Sequence, residues 1–218
     1  MIRKLSPARL GAVIAILAAV WLAMLVTGAG PVDRGVLLAL YAGDEPWLAL
    51  GAIGVSYLGT WPTVVAVTLA GAAWLLYRGK RGAALLLIIA SFTGRAMVIL
   101  EKAYFARLRP DEHLRMVEVH YQSFPSGHSA NSMIVYLGLA LLAVDDPRHR
   151  QWAVGAALAL TFLIGLSRPM LGVHWPSDVV AGWSFGALWL LAVLAAADKW
   201  RPGLATQTLK RNSSTSPS

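Results

Sequence analysis

The stretch LGAVIAILAAVWLAMLVT, residues 10–27, carries no charge over eighteen residues. Its reading decides the fold. A bilayer core takes about 20 mostly apolar residues of α-helix. Arg3 and Lys4 ahead of the run, and Thr27-Gly28-Ala29-Gly30 behind it, imitate a secretion signal. The apolar region of such a signal spans only about 7–15 residues, so the run reads as a retained membrane helix. Composition carries the same message through the whole chain. Of 218 residues, 57% are hydrophobic and 14% charged, with mean hydropathy +0.59. A soluble domain holds about 25% charged residues. Disordered, collagen-like and ordinary soluble classes are therefore excluded. There is no cysteine, which removes disulfide scaffolds, zinc–cysteine sites, iron–sulfur clusters and thiol nucleophiles.

Five more apolar runs follow, at 59–77, 82–100, 129–144, 151–166 and 179–197. The expectation is an all-α, integral membrane bundle of six transmembrane helices. Residues 46–77 lack charge but are too long for one upright span and too short for two. Residues 31–58 are therefore read as an external segment, split at Asp44-Glu45-Pro46 into two short interfacial helices. Residues 1–200 form one domain. Residues 201–218 are polar, rich in Ser and Thr, and read as a disordered tail. No transporter-type repeat is visible.

The net charge of +8 could point to nucleic acid. In a membrane chain it points instead to anchoring against anionic lipid. Twelve of the nineteen Lys and Arg (Arg3, Lys4, Arg9, Arg78, Lys80, Arg81, Arg148, Arg150, Lys199, Arg201, Lys210 and Arg211) fall on one set of helix ends. The positive-inside rule makes those ends cytoplasmic, with both termini there. Trp47, Tyr57, Trp61, Tyr77, Trp152, Trp175 and Trp200 sit near span ends, as interface anchors do.

The remaining positive charges are on the opposite side, where an anionic ligand would explain them. Arg offers a planar fork to phosphate and Lys a mobile point charge. Three segments carry these charges. KAYFARLRP (102–110) sets Lys102 and Arg109 seven apart, on one face if the helix continues, with Pro110 ending it. FPSGHS (124–129) offers Ser126 as a helix cap, Gly127 for close ligand approach and His128 in the first turn. Free N–H groups at such a helix start attract anions. SRPMLGVHWPSD (167–178) sets Arg168 near His174, and Asp178 one turn after it. A carboxylate on one imidazole nitrogen fixes the tautomer and frees the other nitrogen as a nucleophile.

These three segments resemble the signature motifs of the type 2 phosphatidic acid phosphatase (PAP2) family, which shares its active site with vanadium haloperoxidases. The resemblance covers roughly residues 35–198. It implies a six-helix membrane bundle with His174 as the phosphorylated nucleophile and Asp178 as its orienting carboxylate. His128 becomes the general acid that later activates water. Lys102, Arg109, Ser126, Gly127 and Arg168 become the phosphate cradle. No metal or other cofactor is implied, and the sequence holds no HExxH pattern or carboxylate cluster.

The expected activity is hydrolysis of a lipid phosphate monoester or diphosphate at the outer face of the inner (plasma) membrane. Undecaprenyl diphosphate is the first choice of substrate. Phosphatidylglycerophosphate, phosphatidic acid and lipid A phosphates stand as alternatives, as does phosphotransfer to a lipid or sugar hydroxyl. A non-catalytic phospholipid transporter or binder is the alternative of another class. Expected partners are the lipid substrate and membrane lipids, with no nucleic acid. The sequence assigns no oligomeric state. Arg95, inside the third span, is expected to snorkel outward or to pair with a carbonyl or carboxylate. Arg107 is expected to assist phosphate binding, and both histidines to titrate in the working pH range.

Overall fold

The computed structural model describes residues 6–200, which contain helices and no strands. The expected tail at 201–218, the charges Arg3, Lys4, Arg201, Lys210 and Arg211, and the Trp200 side chain lie outside the described residues. The helices are α1 Pro7–Thr27, α2 Pro31–Leu40, α3 Pro46–Tyr57, α4 Trp61–Tyr77 and α5 Arg81–Phe105. They continue with α6 Gly127–Ser132, a π-helical stretch Met133–Leu137, α7 Gly138–Ala143, α8 Pro147–Met170 and α9 Pro176–Trp200. Proline opens α1, α2, α3, α8 and α9 and is second in α4. At those positions its missing N–H costs nothing and its fixed φ favours the helix. The breaks in the sequence are thus built into the helix starts.

Four helices, α1, α5, α8 and α9, are long and apolar enough to cross a membrane. The pair α3 and α4, bent by 45°, passes the same test together. Gly127–Ala143 is a shorter apolar helix. An apolar helical segment is therefore present at each of the six expected spans. Large apolar side chains stand exposed on the outside, among them Val26, Leu50 and Trp152. A water-facing surface avoids such patches, whereas hydrocarbon accepts them. The segment 31–58 does form two short helices, but neither lies apart from the bundle. α2 packs on α8 and α9, and α3 packs on α8. The charge-free stretch at 46–77 is resolved by the bend near residues 58–60.

The apolar core gathers toward one end, around Leu75, Leu87, Ile134, Leu142, Leu190 and Leu194. That end is closed by Lys80, whose Nζ donates to Asp145 at 2.5 Å and to the Ala143 carbonyl at 3.1 Å. The buried polar side chains of the other end belong to the site.

One contact fixes the site's frame. A Cβ on Gly182 of α9 would stand 2.6 Å from the Ser126 carbonyl oxygen, and one on Gly186 would stand 2.6 Å from that of Ala130. α6 and α9 therefore touch backbone to backbone, as small-residue pairs allow in membranes. The Ser126 N–H also donates to the Asp178 carbonyl at 2.9 Å. Gly182→Ala is expected to destabilise the protein by about 1–3 kcal/mol through overpacking. A lowered thermal midpoint in detergent checks this, and an unchanged midpoint would refute the tight contact.

Candidate active site

α5 ends earlier than Pro110 requires. Ala106 adopts a left-handed conformation (φ 48°) and its N–H closes on the Lys102 carbonyl. The chain turns there, so Lys102 and Arg109 do not share a helix face. Lys102 remains on α5, and its Nζ donates to the carbonyls of Gln122 (2.7 Å) and Ser123 (3.1 Å). Arg109 reaches the same place from the loop. Its Nε donates to the Tyr121 carbonyl at 2.6 Å and its Nη1 to that of Val173 at 2.5 Å.

His174 lies just before α9 and is 2% exposed. Its Nδ1 faces Asp178 Oδ2 at 3.3 Å, and its Nε2 lies 3.1 Å from Arg109 Nη1. Arginine is only a donor, so Nε2 is the acceptor and the proton belongs on Nδ1, toward the carboxylate. Burial pushes the His174 pKa well below the usual value, and Arg109, Lys102, Arg168 and His128 push it further the same way. The resting imidazole is therefore neutral, with its basic lone pair on Nε2 accepting from Arg109. Burial also lowers Arg109 to about 10, against the pull of Asp178, so it stays charged at neutral pH.

Asp178 is fully buried and held from several sides. Its Oδ2 accepts from the Ser123 hydroxyl and from the Trp175 N–H at 3.0 Å. Its Oδ1 accepts from Arg107 Nη1 at 2.9 Å. Arg107 also donates to Ser177 Oγ and to the Met24 and Leu25 carbonyls at the end of α1, and it stands over the Phe124 ring. It therefore serves the carboxylate, and the expectation that it assists phosphate binding is not met. Asp33 of α2 adds a further tie, accepting from the Ser177 N–H at 2.9 Å and from its hydroxyl.

A cavity of about 420 Å³ opens on this group. Lys102, Arg109, Gly127, His128, Arg168 and His174 all line it. Arg168 is 4% exposed, donates through Nη1 to Ser56 Oγ, and leaves its Nε buried without a partner. His128 Nε2 and Asn131 Oδ1 are likewise buried without partners. Ser126 is placed differently from the expected cradle. Its hydroxyl caps α6, accepting from the Ser129 N–H at 3.4 Å and from the Ser129 hydroxyl at 3.1 Å, and it does not line the cavity. Asp178 stands behind His174, also off the cavity wall. Ser123, Asp33, Ser56 and Asn131 were not singled out from the sequence. Ser123 and Asn131 flank the 124–129 segment, which was the only local signal for them.

Chemically, the site offers three cations around a buried space, a neutral imidazole aimed into it, and a second imidazole with an idle nitrogen. That is the equipment for charge neutralisation and in-line attack on a phosphoryl group. Comparison with known proteins agrees. The profile of the PAP2 superfamily matches residues 79–202. Phosphatidylglycerophosphatase B of Bacillus subtilis is 31% identical over 172 residues, covering 77% of this chain and 84% of that protein. An undecaprenyl-diphosphatase of Sulfolobus acidocaldarius is 32% identical over 118 residues, or 52% of this chain and 54% of that one. The crystal structure of a transmembrane PAP2-type phosphatidylglycerolphosphate phosphatase from Bacillus subtilis superposes with a TM-score of 0.78 at 27% identity. It covers 87% of this chain and 98% of that one.

Proposed function

Because this chain belongs to the PAP2 superfamily, we propose that it is a membrane lipid phosphatase working through a phosphohistidine on His174 Nε2. The observation that carries this is the ordered line Asp178, His174, cavity, with Lys102, Arg109 and Arg168 around the space that Nε2 faces. In this reading the three cations take the non-bridging oxygens of the phosphate. Gly127 lets the phosphate approach the main chain, and Ser126 shapes that turn as its cap. Nε2 attacks phosphorus while Asp178 steadies the imidazolium that develops. His128 protonates the departing oxygen and then takes a proton from the water that cleaves the phosphohistidine.

Residues 1–200 act as one unit of six spans with cytoplasmic termini and an outward-facing site. The placement of basic residues supports this orientation. The substrate is a lipid phosphate or diphosphate, and undecaprenyl diphosphate is the first to try. A single turnover on a substrate labelled with ³²P in its terminal phosphate tests the reading. Label should appear on the protein in an alkali-stable, acid-labile form and should be absent from His174→Ala. Label on no residue, with phosphate still released, would sink the phosphohistidine.

The depressed pKa of His174 has a sign that can be checked. Only the neutral imidazole attacks, and its pKa in the free protein lies below the usual 6.5. The acid limb of kcat/KM should therefore fall below pH 6.5, with activity kept as pH drops through that value. Arg109→Gln removes a cation that holds the pKa down, so its acid limb should move to higher pH. A wild-type limb above 6.5, or a shift of the variant toward acid, would contradict the assignment.

A further inference from the structure

Arg95 stands outside the machinery described so far. It lies on α5 seven residues before Lys102, about 10 Å along the helix by rise. Its expected partners, a carbonyl or a carboxylate, are absent among the described residues, since it takes part in no hydrogen bond or ion pair there. It does reach outward, as expected, toward the start of α4. Its guanidinium carbon sits over the Trp61 ring, 3.8 Å from the centroid, and the side chain lines the same cavity as Lys102, Arg109, Arg168 and His174. An unpaired charge within an apolar helix is costly unless a ligand or a water-filled space uses it.

Its neighbours say which side of the reaction it faces. Trp61 opens α4, and the turn before it presses Gly59 onto His128. A Cβ on Gly59 would stand 2.8 Å from His128 Cδ2. Gly59, Trp61, Arg95 and His128 thus line one cavity, and His128 is the group assigned to the departing oxygen.

We propose that Arg95, backed by Trp61, is a second anion subsite for the leaving group, and that it selects lipid diphosphates over lipid monophosphates. The inference rests on the assignment of His174 as nucleophile and His128 as acid. Three cations already surround one terminal phosphate. A fourth, on the leaving side, matches a substrate in which a second phosphate follows the first. The bond from His174 Nε2 to the terminal phosphorus forms as the bond from that phosphorus to the bridging oxygen breaks. The electron pair stays on the bridging oxygen, which departs as part of a lipid monophosphate. Arg95 neutralises that anion as its charge grows. Water then cleaves the phosphohistidine to inorganic phosphate and free histidine. With a monophosphate ester the leaving group is an alcohol, which takes its proton from His128 and gives Arg95 no anion to hold.

The test compares farnesyl diphosphate with farnesyl monophosphate, which share one tail, on wild type, Arg95→Gln and Arg95→Lys in detergent. The ratio of kcat/KM for diphosphate over monophosphate should fall about 10- to 100-fold in Arg95→Gln, the scale of a lost hydrogen bond to a charged group. Arg95→Lys should keep part of it. Equal losses on both substrates, or an unchanged ratio, overturn the subsite. A second arm needs no variant. Methylenediphosphonate should inhibit wild type at least about tenfold more strongly than inorganic phosphate, since it can occupy both subsites. Equal inhibition overturns the proposal. If wild type releases phosphate from neither farnesyl substrate, the selection of diphosphates is overturned, while the phosphatase reading is judged by the ³²P turnover described above.

Discussion

His174→Ala should release no measurable phosphate from undecaprenyl diphosphate in detergent with a chelator present, a loss of at least about 10⁴-fold in kcat. His174 lines the cationic cavity with Nε2 against Arg109 and a carboxylate on its far nitrogen. Alanine leaves the cradle of Lys102, Arg109 and Arg168 in place, so the lipid should still bind while turnover stops. Binding measured by quenched protein fluorescence, beside phosphate release, separates the two effects. Wild-type turnover in the chelator matters equally, because the roles assigned to the two histidines need no metal. Undiminished activity in His174→Ala would favour a protein that only recognises the headgroup.

The second large effect belongs to Arg107→Ala. The Asp178 side chain is 0% exposed and Arg107 supplies its salt bridge at 2.9 Å. Breaking a buried pair by removing one partner costs about 3–5 kcal/mol, because the other charge stays buried and uncompensated. Here the loss also leaves the Met24 and Leu25 carbonyls at the end of α1 without the donors Arg107 gives them. The thermal midpoint should drop by about 10 °C. kcat should fall with KM little changed, since Asp178 orients His174 and Arg107 does not line the cavity. A loss confined to KM would show that Arg107 touches substrate instead. Arg107→Lys keeps the charge and should recover stability better than activity, because a single ammonium cannot reach the carboxylate and both carbonyls together.

Much of the site was legible because charge is conspicuous in an apolar chain. Lys102, Arg109, His128, Arg168, His174 and Asp178 each break a hydrophobic pattern in the sequence. The pairing of His174 with Asp178 is local, one helical turn, and needs no tertiary knowledge. Arg107 was seen but misassigned, since its partner lies 71 residues away and sequence proximity to Arg109 pointed the wrong way. Asp33 was missed for the same reason: its contact with Ser177 crosses 144 positions. The left-handed Ala106 was unreadable, because alanine favours helix and the stop signal, Pro110, lies four residues further on. The apolar helices were recovered from composition, and the boundary drawn between residues 58 and 59 falls at the bend between α3 and α4.

The bare contact between α6 and α9 has a consequence for the history of such proteins. Main chain alone, through Gly182 and the Ser126 to Asp178 hydrogen bond, sets His128 and its turn at a fixed distance from His174. The cavity wall is different, because α4, α5 and the loop at 118–122 contribute it from elsewhere. Mutations can therefore remodel which lipid fits while the reacting groups keep their spacing. A scaffold divided in this way can exchange substrates in small inherited steps, with no intermediate that must give up its chemistry.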